Sequence, residues 1–249
     1  MYRFFIVFFI SYLYLFSFSL HLFAQSSSHF PWKLGKKYIY IFKKDNKDVG
    51  FSTFIVNVET IDKNKVYVIK EKLSIVSNKF KQLGKSILYT DLNGMPIRYE
   101  KDVEYNFPEI PFRSGKYHMI SIFSKEKVSS EITKDGKPFW KGDIYLFEPV
   151  FCFDNNFIGK FSFLLSMVNL KDKKTVIKVF NFDTMAVKEI WLKKERSKKV
   201  KVNGNIYRCN IMKMFLNGIK IGYLWITEKG QLLVDVEKDG RLVITITNP

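Results

Sequence analysis

Three histidines, two cysteines and 24 acidic residues are the chain's stock for catalysis and metal binding. His21 and His29 stand near the N-terminus, so a nucleophile–histidine–carboxylate arrangement in the folded body would have to use His118. No Gly-x-Ser-x-Gly turn presents a serine to it. A three-ligand zinc site would need His118 together with carboxylates or cysteines, and no metal-ligand spacing occurs. Tyr117-His118-Met119 alternates as a strand does, which fits a surface or half-buried strand histidine. A glycosidase-like carboxylate pair would be drawn from Asp91, Asp102, Glu104, Asp143 and Asp154, of which Asp91 is also a natural turn residue. Gly84-Lys85-Ser86 matches the end of a phosphate-binding loop, but Lys79 occupies the first glycine's position and strand-like sequence surrounds the motif. Ser124-Lys125-Glu126-Lys127 has a Ser-x-x-Lys spacing without the companion motifs of penicillin-interacting enzymes. These residues point away from catalysis. No catalytic or metal-ligating residue is assigned and no cofactor is expected.

The compartment supports that reading. Arg3 precedes an almost unbroken apolar run over residues 4–20, and Ala24-Gln25-Ser26 follows with small and polar side chains. A charged start, an apolar middle and a small-residue exit make a secretory signal, with cleavage expected after Ala24 and Leu22 at the −3 position. The apolar run also approaches the ~20 residues that span a bilayer, so a retained N-terminal anchor is the alternative. No cysteine lies at the junction to accept a lipid. Residues 1–24 are read as the signal, 25–35 as a short linker and 36–249 as a single exported domain. The product is expected in the periplasm or outside the cell, where ATP, NAD and reducing thiols are absent.

Lysine and arginine outnumber acids 41 to 24, a formal charge of +17. Such a balance suits nucleic acid or anionic surfaces, but export argues against nucleic acid and the lysines are spread along the whole chain. Their densest cluster, residues 193–201, lies between two strand-like segments and reads as a solvated hairpin. Cys152 and Cys209 each sit in an apolar run. In an oxidising compartment they are candidates for a disulfide, and two buried free thiols are the alternative.

The elements that must position these residues are mostly strands. β-branched and aromatic runs with period two occur over residues 38–42, 50–58, 66–69 and 86–89, broken by Asp45-Asn46-Lys47-Asp48, Asp62-Lys63-Asn64-Lys65 and Asn93-Gly94. This predicts an antiparallel meander of about five strands between residues 36 and 104. The texture weakens over residues 117–123, 128–133 and 139–147, where Pro108, Pro111, Pro138 and Pro149 intervene. It returns over 175–182, 186–193, 206–216, 220–227, 231–237 and 241–247. One segment differs. Phe157, Phe161, Leu164 and Val168, with Ile158 and Leu165 beside them, fall at helical spacing after Asp154 or Asn155 as candidate caps. A helix this apolar must bury its stripe against the sheet. A faint internal repeat relates residues 88–97 to 224–233, each an aromatic-bearing strand, a glycine turn and a returning apolar strand. The fold expected is mainly β: a curved antiparallel meander, half-barrel or sandwich, with one short apolar helix packed on it.

These pieces carry a likeness. The signal, Val49-Gly50 on an early strand, the hairpin at residues 89–97, the helix after Asp154, the Asn203-Gly204 turn and the Gly222–Trp225 strand with its Gly230 turn follow in one order. In that order the chain resembles an uncharacterised family of exported bacterial β-rich proteins, known as a domain of unknown function. More distantly it is similar to the LolA and LolB half-barrels that carry or receive lipoproteins between bacterial membranes. That likeness implies a curved sheet wrapped around helices to enclose an apolar cavity.

The function expected is that of a non-catalytic cell-envelope protein holding a lipid or acyl chain in the concave face of its sheet. Tyr89 and Trp225, at equivalent places in the repeat, and Phe157, Phe161 and Leu164 on the helix are the candidate ligand-binding residues. A structural or partner-binding envelope protein with a self-filled core is the alternative, and a carboxylate-based hydrolase the third. Membrane contact is expected only through an uncleaved N-terminal segment.

Overall fold

The computed structural model describes residues 30–77, 80–154, 157–202, 204–237 and 242–247. The expected signal and its cleavage point lie outside them. The strands are β1 (Lys37–Lys44), β2 (Lys47–Ile61), β3 (Asn64–Val76), β4 (Lys81–Thr90), β5 (Pro96–Asn106), β6 (Gly115–Phe123), β7 (Lys127–Lys134), β8 (Lys137–Tyr145), β9 (Phe151–Phe153), β10 (Lys174–Asn181), β11 (Ala186–Val202), β12 (Asn205–Leu216), β13 (Ile219–Thr227), β14 (Leu232–Glu237) and β15 (Leu242–Ile246). A 3₁₀ turn at Pro111–Arg113 precedes β6, and the helix α1 (Ile158–Met167) lies between β9 and β10. Every strand-like run read from the sequence is a strand. Two things differ: β9, whose three residues are too short to show a period, and the lysine cluster at 193–201, which is not a hairpin but the outer half of β11, paired along its length with β12.

Turn chemistry explains the meander. Asp45-Asn46, Asp62-Lys63, Asp135-Gly136 and Asn217-Gly218 each put two successive residues at positive φ, the two-residue turn whose twist matches that of paired strands. The strands form one sheet in the order β8-β7-β6-β5-β4-β3-β2-β1-β15-β14-β13-β12-β11-β10-β9. The first strand therefore sits mid-sheet, hydrogen-bonded to the last. All pairs are antiparallel except β9 with β10, whose crossover is α1.

This topology forces curvature. Laid flat, fourteen spacings of ~4.8 Å would separate the two edges by roughly 67 Å. Yet β8 and β9, the two edge strands, are joined by residues 146–150 alone, a link that reaches at most about 21 Å. The sheet must coil until its wings approach. They meet through aromatic rings: Phe123 of β6 packs edge-on to Phe180 of β10 and to Phe182. Tyr99 of β5 lies with its centroid 4.2 Å from Phe182.

Within the coil sits α1, with all residues from Ile158 to Leu165 buried. Phe161 meets Phe153 of β9, Phe163 meets Tyr67 of β3, and Ser162 accepts from the Tyr40 hydroxyl of β1 at 2.7 Å. The residues expected as a linker include Trp32, which is buried against Tyr38 and Phe54 and donates to Ser166 on the helix at 3.1 Å.

The faint repeat has a structural counterpart. In both hairpins the strand pairing slips at the same place, between Tyr89 and Thr90 and between Trp225 and Ile226. In both, one side-chain oxygen (Asp91, Thr227) accepts the backbone N–H four residues on (Met95, Gln231). Both glycine turns close on the same end of α1: a side chain at Gly94 would strike Met167, and one at Gly230 would strike Ser166 and Leu165.

The candidate disulfide is not formed. Cys152 and Cys209 are both free and buried. Cys152 pairs with Phe180, Phe180 with Val187, and Cys209 with Lys198. Three strand spacings and the eleven positions from Val187 to Lys198 along β11 thus separate the thiols, whereas a disulfide needs Cα atoms within about 7 Å.

Candidate functional site

Strand parity decides which side chains meet the helix. On β3 the concave face takes Ile69, Glu71, Leu73 and Ile75; on β4, Gln82, Ser86 and Leu88; on β5, Tyr99, Lys101 and Val103. Glu71 and Lys101 are therefore charges at core positions, and α1 adds Lys160, its sole charged residue. Burial of unpaired charge is costly, so these groups must find partners.

They do. The Glu71 carboxylate accepts the Ser52 hydroxyl, the Gly159 N–H at 2.9 Å and the Lys160 N–H at 3.2 Å, and faces the Lys160 ammonium at 3.5 Å. It caps the helix from another element, through the orphan N–H groups and the positive end of the helix dipole. The expected cap at Asp154 is not made: the residue before the helix is Phe157, without a side-chain cap bond. Asn155 lies outside the described residues. Asp154 instead accepts the Tyr99 hydroxyl at 2.7 Å and the Lys101 ammonium at 2.8 Å. Lys160 also donates to Ser86. Both lysines lie over the Phe157 ring, Lys160 at 4.2 Å and Lys101 at 5.4 Å from its centroid.

The two ion pairs differ in character. Burial pushes the Glu71 carboxyl up despite Lys160. Burial pulls Lys160 down despite Glu71. That pair leans toward its neutral form. For Lys101 burial pulls down, but Asp154, Tyr105 and Asp183 together outweigh it, leaving the ammonium raised; burial of Asp154 is likewise overcome by Lys101, Lys160 and the Tyr99 hydroxyl together, leaving its carboxyl lowered. That pair is firmly ionic. Burial also raises the Cys152 thiol, and it pushes Cys209 up to about 11, so neither is an activated nucleophile. Glu71 and Lys160 are wholly shielded from water. Sealed in this way, the cluster orients the helix and offers no surface to a substrate.

Beyond α1 the same concave face carries a second feature. Five rings touch in series: Phe80 with Phe107, Phe107 with Tyr105, Tyr105 with Tyr117, and Tyr117 with Phe139, at centroid distances of 5.6–5.9 Å. Tyr105 and Tyr117 follow the inward parity of Val103 and Met119. The first four rings are half-buried and Phe139 is exposed. Lys134 lies over Tyr117 at 5.3 Å. In register with Tyr105 stands Gln82, 2 % exposed, whose Nε2 has no acceptor among the described residues.

The outer face carries a groove of about 620 Å³ across β3–β7, lined among others by Lys72, Lys85, Asp102, Glu104, Lys116 and His118. Asp102 bridges His118 at 2.7 Å and Lys85 at 3.4 Å. Of the remaining carboxylates in the proposed catalytic set, Asp91 accepts within its own turn and Asp143 pairs with Lys127 at 2.6 Å. Ser124 of the Ser-x-x-Lys match accepts the Glu126 and Lys127 N–H groups, a turn between β6 and β7. Among the described residues no three of His, Cys, Asp and Glu gather as a metal group, and no helix is long and apolar enough to cross a membrane.

The candidate ligand residues divide. Phe157, Phe161 and Leu164 lie on the concave face but are packed to at most 3 % exposure. Tyr89 and Trp225 point away from α1: each is half-buried and alternates with buried Leu88 and Thr90, or Leu224 and Ile226. Lys198 lies over the Trp225 ring at 5.6 Å. The structure therefore does not bring these two rings to the helix. Glu71, Lys101, Lys160 and the five-ring ladder were not singled out by the sequence reading, although a lone lysine in an otherwise uncharged helix was a usable signal.

No family model matches the sequence, and no curated protein sequence matches it. Solved structures similar in layout include a protein of the DUF1089 family from Pseudomonas aeruginosa, at 11% identity and a TM-score of 0.40, covering 73% of this chain and 87% of that one. A candidate lipoprotein from Parabacteroides distasonis matches at 11% identity and 0.32, over 90% and 98% of the two chains. A candidate exported protein with a YmcC-like fold from Bacteroides fragilis matches at 8% and 0.28, over 88% and 96%. Superpositions this loose carry no argument about family, export or ligand.

Proposed function

We propose that this chain is a non-catalytic exported protein of the cell envelope that holds an acyl chain or lipid on the open aromatic wing of its concave face. The observation that carries the reading is the five-ring ladder from Phe80 to Phe139, an apolar track that α1 does not cover. Contiguous exposed apolar surface rimmed by polar groups marks binding sites. The buried Nε2 of Gln82 beside Tyr105, without an acceptor among the described residues, gives a ligand's carboxylate or ester oxygen a donor to meet. The helix side of the concave face is filled by Phe157, Phe161 and Leu164, which moves the ligand from the core to the wing.

Trp140, two strands from Tyr117 and 36 % exposed, reports on this surface. Titrating oleate or a lysophospholipid should change the fluorescence to saturation at one site, and Trp140→Phe should remove most of the change. The Tyr117→Ala/Phe139→Ala variant should bind about tenfold or more weakly, since each ring contributes roughly a kcal/mol or more of contact. Linear, unsaturable change in both proteins would overturn the reading.

A hydrolytic reading rests on Asp102 and Glu104, which share the outer groove. Asp102 is half-exposed beside Lys85 and His118, a wet setting unlike the apolar one in which a carboxyl serves as acid. Release of a chromogenic glycoside aglycone that Glu104→Gln abolishes would favour it over lipid binding.

A further inference from the structure

Strand β8 ends one side of the sheet, and none of its nine residues is buried. Its outward edge has no neighbouring strand among the described residues, and its side chains are unusually apolar for such a position: Phe139 is 61 %, Trp140 36 % and Tyr145 69 % exposed. Natural edges are shortened, bulged or charged to prevent pairing with another chain. Here the proline and the bulge gather at one end, and the two mid-strand charges are of opposite sign. Pro138, which has no N–H to give, and the slip in pairing with β7 both lie near the start of β8.

We infer that β8 pairs with β8 of a second copy of this chain, antiparallel about a two-fold axis at Gly142. The register follows from the side chains. Trp140, Gly142 and Ile144 share one face with Ile132, Ser130 and Val128 of β7, while Lys141 and Asp143 take the other. An axis at Gly142 sets Lys141 opposite the partner's Asp143 and Asp143 opposite the partner's Lys141. It also sets Trp140 opposite the partner's Ile144. Cross-strand pairs of opposite charge and of aromatic with apolar side chains are the favourable ones. Gly142 brings no side chain to the axis, and Pro138 falls beyond the partner strand's end. An axis one residue to either side would set Lys141 on Lys141 or Asp143 on Asp143, both repulsive. The existing pairs of Lys141 with Glu131 and Asp143 with Lys127 are exposed and within one copy, so the interface adds to them without burying an unpaired charge.

Sedimentation equilibrium of the mature chain at micromolar concentrations tests this. The wild type should be a dimer. Lys141→Asp and Asp143→Lys should each weaken self-association about tenfold or more, because two attractive cross-strand pairs become repulsive. Mixing the two single variants should restore a 1:1 dimer, since one chain then carries acids at 141 and 143 and the other lysines, so both contacts join opposite charges. The double variant should dimerise as the wild type does, which separates loss of pairing from loss of folding. A monomeric wild type, an Asp143→Lys chain that still dimerises, or a mixture that does not reassociate would overturn the inference.

Discussion

Glu71 and Lys160 share a water-shielded interior with Asp154 and Lys101, yet the two pairs should respond to acid in opposite ways. The Asp154 carboxyl is lowered on folding, so its stabilisation is present above the ordinary carboxylate range and is lost as pH falls through its folded value. Asp154→Asn should cost ~3–5 kcal/mol near neutral pH, because Lys101 is left buried without its counter-charge, and should flatten the acid limb of the stability profile. Urea unfolding at several pH values checks both. Glu71 is raised on folding, so its protonated form is the one the fold favours, with stability lost as pH rises through the folded value. In Lys160→Met the largest of the opposing influences, the Lys160 charge, is gone, and only the hydrogen bonds from Ser52 and from the Gly159 and Lys160 N–H groups still oppose the shift. This variant should be most stable in mildly acid solution and weaken toward neutral pH; a profile parallel to the wild type would contradict the assignment. The sequence held a hint of this cluster, since Glu71 and Lys101 share parity with Ile69 and Val103. In a chain where lysine is spread everywhere, one inward lysine does not stand out until the pairing register is known.

At the scale of elements, the helix and the two hairpins that grip it are the unit to test. Phe161 is buried against Phe153, so Phe161→Ala should cost ~3–5 kcal/mol in urea unfolding. A loss under about 1 kcal/mol would make α1 peripheral. The turn glycines give a graded series. Gly94, Gly218 and Gly230 all sit at φ near +80°, but an alanine at Gly218 meets open space, at Gly94 the flexible Met167 side chain, and at Gly230 the helix backbone. Alanine at Gly218 should cost ~1–2 kcal/mol from backbone strain alone. Gly94→Ala should cost somewhat more and Gly230→Ala the most, in thermal unfolding of the three variants. Equal losses would mean that the turns do not press on α1. The helix was legible because its apolar residues fall at 3.6 spacing, and the hairpins because of their glycine turns. The face of Tyr89 and Trp225 was not legible, since Leu88 and Leu224 beside them are equally apolar and period two does not say which set faces inward. The N-terminal cap was misread for a related reason: Asp154 is adjacent in sequence, but the carboxylate that reaches the helix comes from β3.

For the molecule as a whole, the meander was read correctly from turns and alternation, whereas its closure depends on two facts outside local pattern. The first strand pairs with the last, and a five-residue link ties the outer edges. Together they coil the sheet and divide its concave face into a part filled by α1 and a wing where aromatic rings remain open. The ladder was invisible in sequence because Phe80 in the β3–β4 link, Tyr105 on β5, Tyr117 on β6 and Phe139 on β8 meet only across the register. The central claim is that this wing holds an acyl chain, and native mass spectrometry of the mature protein recovered from its own envelope tests it most directly. The account predicts one lipid-sized adduct per chain, lost in the Tyr117→Ala/Phe139→Ala variant although that variant folds. A wild-type chain carrying no adduct, or an adduct retained by the variant, would contradict it.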